Sequence, residues 1–157
     1  MSSTDVSGQT GQAESALGVD MNLEVVTLPV ADVDRSKAFY QSLGWRLDID
    51  LVVGDAVRTV QFTPPHSGCS IQFGKGRTAA EPGSAQAMIL VVKDIDAARG
   101  DLIDRGVDVS EVQEMKPPGF DAPGRSYFAR ASFSDPDGNS WELQEITTRL
   151  PGREWED

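Results

Sequence analysis

Apolar and β-branched residues occur along the chain in short runs, each bounded by glycine, proline or aspartate. The runs Leu23 to Val30 and Met88 to Val92 have the composition of well-covered strands. After each run comes an Asp-x-Asp sequence and then a stretch with apolar positions at helical spacing, which ends at Gly44 in the first case and at Gly106 in the second. The pattern predicts a strand and a capped helix, twice.

Further extended segments follow each predicted helix. Turn sequences separate them, such as Gly54-Asp55, Pro64-Pro65 and the DPDGN sequence of residues 135–139. The predicted strands are residues 45–53, 57–63 and 69–74 in the first half, and residues 107–112, 127–134 and 140–146 in the second. Each half is therefore predicted to have the element order β-α-β-β-β.

The two halves form an internal repeat. The sequence from Val30 to Gly44 aligns without a gap with the sequence from Val92 to Gly106, at a constant offset of 62. A second match pairs SIQF at residues 70–73 with SWEL at residues 140–143, at an offset of 70. About eight extra residues therefore lie between the two matches in the second half, and the stretch from Gly119 to Gly124 is the natural place for them.

The repeat predicts an α+β fold made of two βαβββ modules. The first module spans residues 21–75 and the second spans residues 86–149, with residues 76–85 as a linker. We expect the two curved, antiparallel-rich sheets to pair on their helix-covered side and to leave an open cleft on the other, where a ligand would bind. Residues 1–20 are predicted to be a flexible tail, and residues 150–157 a short C-terminal tail.

Composition limits the classes of partner. The chain has 14 Lys+Arg against 25 Asp+Glu, a net charge of −11, which argues against nucleic acid, and it has no run of about 20 apolar residues that would cross a membrane. Cys69 is the single cysteine, so an internal disulfide is impossible. Because the N-terminus lacks a basic region followed by an apolar core, we expect a cytoplasmic protein.

Two sequences carry a resemblance to a known family: VTLPVADVDRSKAFYQSLGW at residues 26–45 and FSDPDGNSWELQEI at residues 133–146. With the internal repeat, they resemble the vicinal oxygen chelate superfamily, which includes glyoxalase I, bleomycin-resistance proteins, extradiol dioxygenases and methylmalonyl-CoA epimerase. The resemblance covers roughly residues 21–149. It implies the glyoxalase-like fold, but the superfamily contains several chemistries as well as non-catalytic binders.

The resemblance also implies where a metal would bind. In the metal-dependent members, ligands come from the first and last strands of each module, and these positions fall on Val25, Ala87, Gln72 and Glu142. Valine and alanine offer no donor atom, and glutamine is a weak neutral donor, so Glu142 is the one good ligand. We therefore expect no bound metal and no cofactor. A shift of one residue in the alignment would bring Glu24 into the first-strand position and reopen the possibility of a divalent metal at Glu142.

The composition supports the same expectation independently. His66 and Cys69 are each the only residue of their type, so the usual nitrogen- and sulfur-rich transition-metal sites cannot form. His66 lies in the sequence PPHSG and is interpreted as a loop residue, and Cys69 as an unreactive thiol.

Glu142 is the main candidate for chemistry. Its side chain points away from Trp141 and Leu143 on the last predicted strand, toward the cleft if the family pattern holds. There it would act as a general base or as a polar anchor for a ligand. The alternative is a surface carboxylate, or one paired with Arg130 or Arg58.

The other candidate ligand-binding residues are Gln72, Val25, Ala87, Phe62 and Tyr127. Gln72 is the repeat partner of Glu142 and offers both a donor and an acceptor, unless it faces solvent. Some aromatic residues belong to the core, while others are expected to line the cleft, where they would favour a flat, partly apolar ligand through stacking.

Three functions remain open at this point. The first is a glyoxalase/bleomycin-resistance-like protein that binds a small organic, aromatic molecule without a metal. The second is a glyoxalase-like lyase, isomerase or dioxygenase that uses Glu142 as metal ligand or general base. The third is a non-catalytic interaction protein on the same fold. A homodimer is plausible, since an open-edged sheet in a small acidic domain invites pairing.

Overall fold

The computed structural model describes residues 18–119 and 124–155, and the predicted β-α-β-β-β order occurs in it twice. The first module contains β1 (Val25–Thr27), α1 (Val33–Ser42), β2 (Arg46–Val53), β3 (Val57–Thr63) and β4 (Ser70–Lys75). The second contains β5 (Met88–Val92), α2 (Ile95–Asp104), β6 (Gln113–Glu114), β7 (Ala129–Ser134) and β8 (Ser140–Glu145). Each module forms one four-stranded mixed sheet, in the orders β1-β4-β3-β2 and β5-β8-β7-β6. The predicted α+β fold class is confirmed.

Both helices begin where the aspartates predicted. The side chain of Asp32 accepts a hydrogen bond from the backbone N–H of Arg35, and that of Asp94 accepts one from Ala97. Such caps satisfy amide groups in the first turn that have no partner within the helix. At the other end, Gly44 follows α1 with a φ of +81°, a left-handed conformation that side chains with a Cβ rarely adopt.

The prediction of a strand at residues 107–112 is wrong, because the strand in this region is β6, at Gln113–Glu114. This segment runs beside β7, but the ladder there is limited to the two residues of β6. The backbone N–H of Ser110 donates to the carbonyl of Ser132, whereas the N–H of Ser132 donates to the hydroxyl of Ser110 instead of to a backbone carbonyl. A side-chain acceptor therefore interrupts the backbone pairing that a regular strand needs.

Each sheet has one face covered by its helix and one open face. On the covered side the modules share a core, in which Phe62 and Phe73 stack with ring centroids 6.1 Å apart and Trp45 meets Trp141 of the second module edge to face at 5.2 Å. Tyr40 of α1 lies among these rings and is fully buried. The apolar side chains of both helices thus build a single core that spans the two modules.

The turn at residues 135–139 joins the modules through a buried polar network. The hydroxyl of Tyr40 donates to a carboxylate oxygen of Asp135 at 2.8 Å and accepts the indole N–H of Trp141 at 3.0 Å. The same carboxylate also accepts N–H groups from Asp137 and Asn139. Burial, and then the Asp135 charge, raise the pKa of Tyr40 above its usual range, so its hydroxyl keeps its proton and remains a donor.

The remaining side chains of this turn hold the linker and the start of α1. Asp137 accepts hydrogen bonds from the backbone N–H of Ala31 at 3.1 Å and from the guanidinium of Arg35 at 2.9 Å. The amide of Asn139 donates to the carbonyl of Pro29 and accepts from the N–H of Ala85, at 2.9 and 3.1 Å. A sequence predicted only as a turn is therefore also the polar joint between the modules.

Some of the sequence predictions fall outside the described residues. Residues 1–17, which are most of the predicted N-terminal tail, lie outside them, and so do residues 120–123, the middle of the expected insertion. Within the ranges that are described, no helix has the length and apolar character needed to cross a bilayer.

Candidate functional site

A cavity of about 750 Å³ lies on the open face of the second sheet. Its floor consists of side chains from β7 and β8, because alternate residues of a strand point to the same face. Arg130 and Ser132 come from β7, and Glu142 and Gln144 from β8; the ladder pairs Arg130 with Gln144 and Ser132 with Glu142. Four polar side chains therefore lie side by side in one hollow.

Apolar side chains form the walls around this polar floor. They come from the segment before β7, from the residues around β6 and from the chain after β8, and comprise Met115, Pro117, Tyr127, Phe128 and Leu150. Phe128 is buried, and the ammonium of Lys116 lies 5.4 Å from the centre of its ring. An apolar wall with a few convergent polar groups is the usual construction of a small-molecule site, and the volume is within the range of drug-sized pockets.

Glu142 lies in this cavity and is paired with Arg130, one of the two arginines that the sequence offered as its partner. The guanidinium lies 3.0 Å from the carboxylate; the Glu142 side chain is 22% exposed and that of Arg130 is 47% exposed. A carboxylate held by a guanidinium is already engaged as a hydrogen-bond acceptor. This arrangement presents an ion pair to a ligand, with the arginine as the more accessible half.

Gln72 lies on the open face of the first sheet. Its amide donates to the side chain of Gln61 at 2.7 Å and accepts from the guanidinium of Arg77 at 3.1 Å. The cavity that contains Glu142 is lined by residues 110–150 of the second half, so Gln72 does not share it. The structure thus places the two repeat-related residues on equivalent strands but in separate surroundings.

Val25 and Ala87 are not the residues beside Gln72 and Glu142. The parallel ladders pair Thr27 with Gln72 and Ile89 with Glu142. Val25 pairs with Ser70, and Ala87 precedes β5 with a φ of +56°, its N–H donating to the hydroxyl of Ser140. The offset of 62 relates Thr27 to Ile89 as it relates Val25 to Ala87, so each pair occupies equivalent positions in the two modules.

Of the two aromatic candidates, Tyr127 lines the cavity and Phe62 does not. Phe62 is fully buried in the core, on the helix-covered side of the first sheet, where it packs against Phe73 and Tyr40. Tyr127 is half-buried and has a φ of +72°, which is unusual for a residue with a side chain. Phe128 lies in the strand predicted at residues 127–134, among the aromatic residues expected to belong to the core or the cleft, whereas the sequence offered no signal for Met115, Pro117 and Leu150, which come from irregular segments.

A second, smaller cavity of about 320 Å³ lies between the modules. Residues of both modules line it, among them Val26, Ile71, Met88, Trp141 and Cys69. Burial raises the pKa of the Cys69 thiol, and the nearby Glu24 carboxylate acts in the same direction. Since the thiolate is the reactive form, this cysteine is a poor nucleophile.

The donor atoms of the family's metal positions do not fit a metal ion here. Val25 and Ala87 have no donor atom in their side chains, Glu142 is paired with a cation, and Gln72 is bound to Gln61 and Arg77. Across the described part of the chain, no group of three or more His, Cys, Asp or Glu side chains is arranged to hold a metal. Catalytic zinc sites typically use three protein ligands, a set that these positions do not supply.

The repeated fold, with its ligand-sized hollow on an open sheet face, matches a known class of proteins. Residues 22–143 match the family model of the Glyoxalase/Bleomycin resistance protein/Dioxygenase superfamily, and the chain belongs to this superfamily. The resemblance identified from the sequence is therefore confirmed. No curated protein matches the chain.

Among solved structures, the chain is similar to TnmS3, an antibiotic binding protein from Streptomyces sp. CB03234. The two are 28% identical with a TM-score of 0.66, and the match covers 82% of this chain and 98% of TnmS3. A glyoxalase/bleomycin resistance protein, also from Streptomyces sp. CB03234, is 29% identical with a TM-score of 0.61, over 78% of this chain and 99% of that one. A superfamily member from Sphaerobacter thermophilus DSM 20745 is 29% identical with a TM-score of 0.62, over 80% and 98%.

Proposed function

We propose that this protein binds a small organic molecule with a flat aromatic part in the cavity of its second module, without a bound metal. The observation that carries the proposal is the cavity itself, about 750 Å³ in volume, with apolar walls above a polar floor. The similarity to TnmS3, an antibiotic binding protein, supports a small-molecule ligand.

The lining residues have complementary roles in this proposal. The rings of Tyr127 and Phe128 and the flexible side chain of Met115 contact the flat part of the ligand. The Arg130–Glu142 pair binds its polar edge, with the exposed guanidinium donating and the carboxylate accepting. Glu142 is thus a ligand anchor, and its ion pair gives no specific support to the alternative role as general base.

The ligand-binding test is a thermal shift assay followed by calorimetry, with bleomycin and 2-naphthol as probes. A probe at 100 times its dissociation constant should stabilise the protein by about 2.7 kcal/mol, which at this size raises the Tm by about 5–11 °C. Arg130→Ala should weaken binding of the responding probe by about tenfold or more, as expected for a hydrogen bond to a charged group. Asp104→Asn, on the exposed end of α2, is the matched control and should bind normally.

The metal-free part of the proposal has its own test. Protein purified without a histidine tag should contain less than stoichiometric nickel, zinc, manganese and iron by mass spectrometry. One equivalent of metal that disappears in Glu142→Ala would overturn it. If neither probe raises the Tm of the wild type in the thermal shift assay, that result would argue for the third function, a non-catalytic interaction protein on the same fold.

We further propose that a second copy of the chain covers the open sheet faces. On the first sheet, Ile49, Leu51 and Val53 point to the open face in a row and are 40, 55 and 57% exposed. On the second, Ile89 and Val91 are 49 and 38% exposed beside the cavity. Contiguous apolar rows of this kind are typical of interaction surfaces, unlike single exposed apolar residues.

Light scattering coupled to size exclusion tests this second proposal. The wild type should have the mass of a dimer, and Leu51→Asp should be a monomer. Val52→Asp is the matched control, because Val52 is 63% exposed on the other face of the same strand. A monomeric wild type, or equal effects of both variants, would contradict the assignment of this face.

A further inference from the structure

The chain after β8 is fixed against the cavity by side chains from the segment that precedes β7. This segment, residues 147–155, is called the C-terminal wall. Ser126 is fully buried, and its hydroxyl accepts the N–H groups of Thr147 and Thr148 at 3.1 and 3.2 Å while donating to the carbonyl of Thr148 at 2.8 Å. One side chain thus satisfies three backbone groups and sets the direction in which the chain leaves the sheet.

Tyr127 holds the next part of the C-terminal wall. Its hydroxyl accepts the backbone N–H of Leu150 at 3.0 Å, and both residues line the cavity. The wall therefore contributes an apolar side chain to the ligand site through a hydrogen bond made by another lining residue.

The backbone of Tyr127 is itself held in a left-handed conformation, with a φ of +72°. Its N–H donates to the carbonyl of Glu145 at 2.7 Å, and its carbonyl accepts the side-chain amide of Gln144 at 3.0 Å. For a residue with a Cβ this conformation costs free energy, because the Cβ lies close to the following carbonyl oxygen. The two bonds to β8 offset that cost and fix the direction in which the ring enters the cavity.

Trp155 anchors the far end of the C-terminal wall. Its ring lies against the guanidinium of Arg149 at 3.7 Å and is also approached by the ammonium of Lys93 at 5.5 Å. Such cation–π contacts are attractive because the face of the indole ring carries negative charge density. Because Arg149 belongs to the wall itself, the Lys93 contact is the one of these two that joins the far end of the wall to the second sheet, while Ser126 and Tyr127 hold its start and middle.

We infer that Leu150 and Tyr127 determine the ligand specificity of the cavity: Leu150 limits the size of the aromatic system that fits, and Tyr127 positions Leu150. This inference rests on the proposed function of the cavity and extends it to a selection between ligands. The C-terminal wall is a fixed side of the site, so the side chain at residue 150 sets the space available to the ligand.

The test compares two flat hydroxylated probes of different size, 2-naphthol and 1-hydroxypyrene, by fluorescence titration. Leu150→Ala should shift the ratio of the two dissociation constants in favour of 1-hydroxypyrene by about tenfold, the order of discrimination that a few methylene groups provide in an apolar pocket. Leu150→Trp should shift the ratio the opposite way. Ile103→Ala, an apolar residue 44% exposed on α2, is the matched control and should leave the ratio unchanged.

The positioning role of Tyr127 has a separate readout. Tyr127→Phe keeps the ring but removes the acceptor of the Leu150 N–H, so amide exchange at Leu150 should accelerate by about tenfold or more. The probe ratio should move in the same direction as in Leu150→Ala, and by less.

The outcomes separate the inference from the function on which it rests. If the wild type binds neither probe, the proposed function and the inference both fail. If the wild type binds and the ratio is the same in Leu150→Ala, Leu150→Trp and the control, the inference alone is overturned. Unchanged exchange at Leu150 in Tyr127→Phe would overturn the positioning role.

Discussion

Replacing Tyr40 by phenylalanine tests the joint between the modules with the loss of a single oxygen atom. The ring stays in the core, so the aromatic packing is kept. The substitution removes the donor to the Asp135 carboxylate and leaves the indole N–H of Trp141 buried without its acceptor. Asp135 keeps the N–H groups of Asp137 and Asn139, which limits the damage to these two hydrogen bonds.

The expected loss follows from these two bonds. A hydrogen bond to a charged group contributes about 1.5–3 kcal/mol, and a buried donor left unpaired costs about 1–3 kcal/mol. Because effects within one network do not add fully, we expect Tyr40→Phe to lower the free energy of unfolding by about 3 kcal/mol. That is a large part of the roughly 5–15 kcal/mol of a typical domain, and corresponds to a fall in Tm of about 6–12 °C.

Urea unfolding followed by circular dichroism measures this loss without depending on tryptophan fluorescence, which the substitution itself would change. Tyr127→Phe is the matched control: it also removes one hydroxyl, here a half-buried one that accepts the backbone N–H of Leu150, and the expected loss is about 1 kcal/mol or less. In a Trp141→Phe background, which lacks the indole N–H, Tyr40→Phe should cost about 1 kcal/mol less than in the wild type. A loss below about 1 kcal/mol for Tyr40→Phe, with an unchanged m-value, would refute the energetic importance of this network.

Two further predictions concern the pH dependence of stability and the backbone. Hydrogen bonds from Arg58, and then from Lys37, hold the pKa of Asp50 well below its usual range. This contribution to stability is present above the pKa of Asp50 in the unfolded chain, about 4, and is lost as the pH falls toward its pKa in the folded protein. Asp50→Asn should therefore cost about 1 kcal/mol at pH 7 and less at pH 3. An equal cost at both pH values, measured by urea titration, would contradict this prediction. At Gly74 of β4 an added Cβ would lie 1.7 Å from the carbonyl oxygen of Arg58, so Gly74→Ala should destabilise by about 3 kcal/mol or more. Gly100→Ala on helix α2, where nothing lies within 4 Å of an added Cβ, should stabilise the protein by about 0.5–1 kcal/mol. Thermal melts of the two variants check both predictions, and a higher Tm for Gly74→Ala than for Gly100→Ala would count against the geometry at Gly74.

The sequence predicted the fold well because the fold depends on local signals. The aspartate caps, the glycines after both helices and the repeat offset of 62 are each encoded within a few residues or by direct comparison of the halves. The segment at residues 107–112 was predicted wrongly because its valines have a strand-like composition, while the hydroxyl of Ser110 takes the place of a backbone acceptor. Strand composition indicates burial but does not specify which atoms accept the hydrogen bonds.

The candidate site was harder to predict because it depends on register and on irregular segments. Glu142 and Tyr127 were selected from the sequence and lie in the cavity, whereas neither Val25 nor Ala87 is among the residues that line it; the ladders place Thr27 and Ile89 beside Gln72 and Glu142. Leu150 lies beyond the repeat and had no pattern to reveal it. Its position depends on a hydrogen bond to a residue 23 positions earlier, which sequence spacing does not indicate.

The turn at residues 135–139 shows that the two halves are no longer interchangeable. At the offset of 70, residue 135 − 70 = 65 begins the equivalent stretch of the first module, PHSGC at residues 65–69, which has neither the carboxylates nor the asparagine. There, the Ser67 hydroxyl bonds with the backbone of Cys69, two residues away. A chain built as a tandem of two first modules would have no acceptor for the Tyr40 hydroxyl and no partner for the amide groups before α1. The second half thus supplies the groups on which assembly of the two modules depends, and the equivalent stretch of the first half does not.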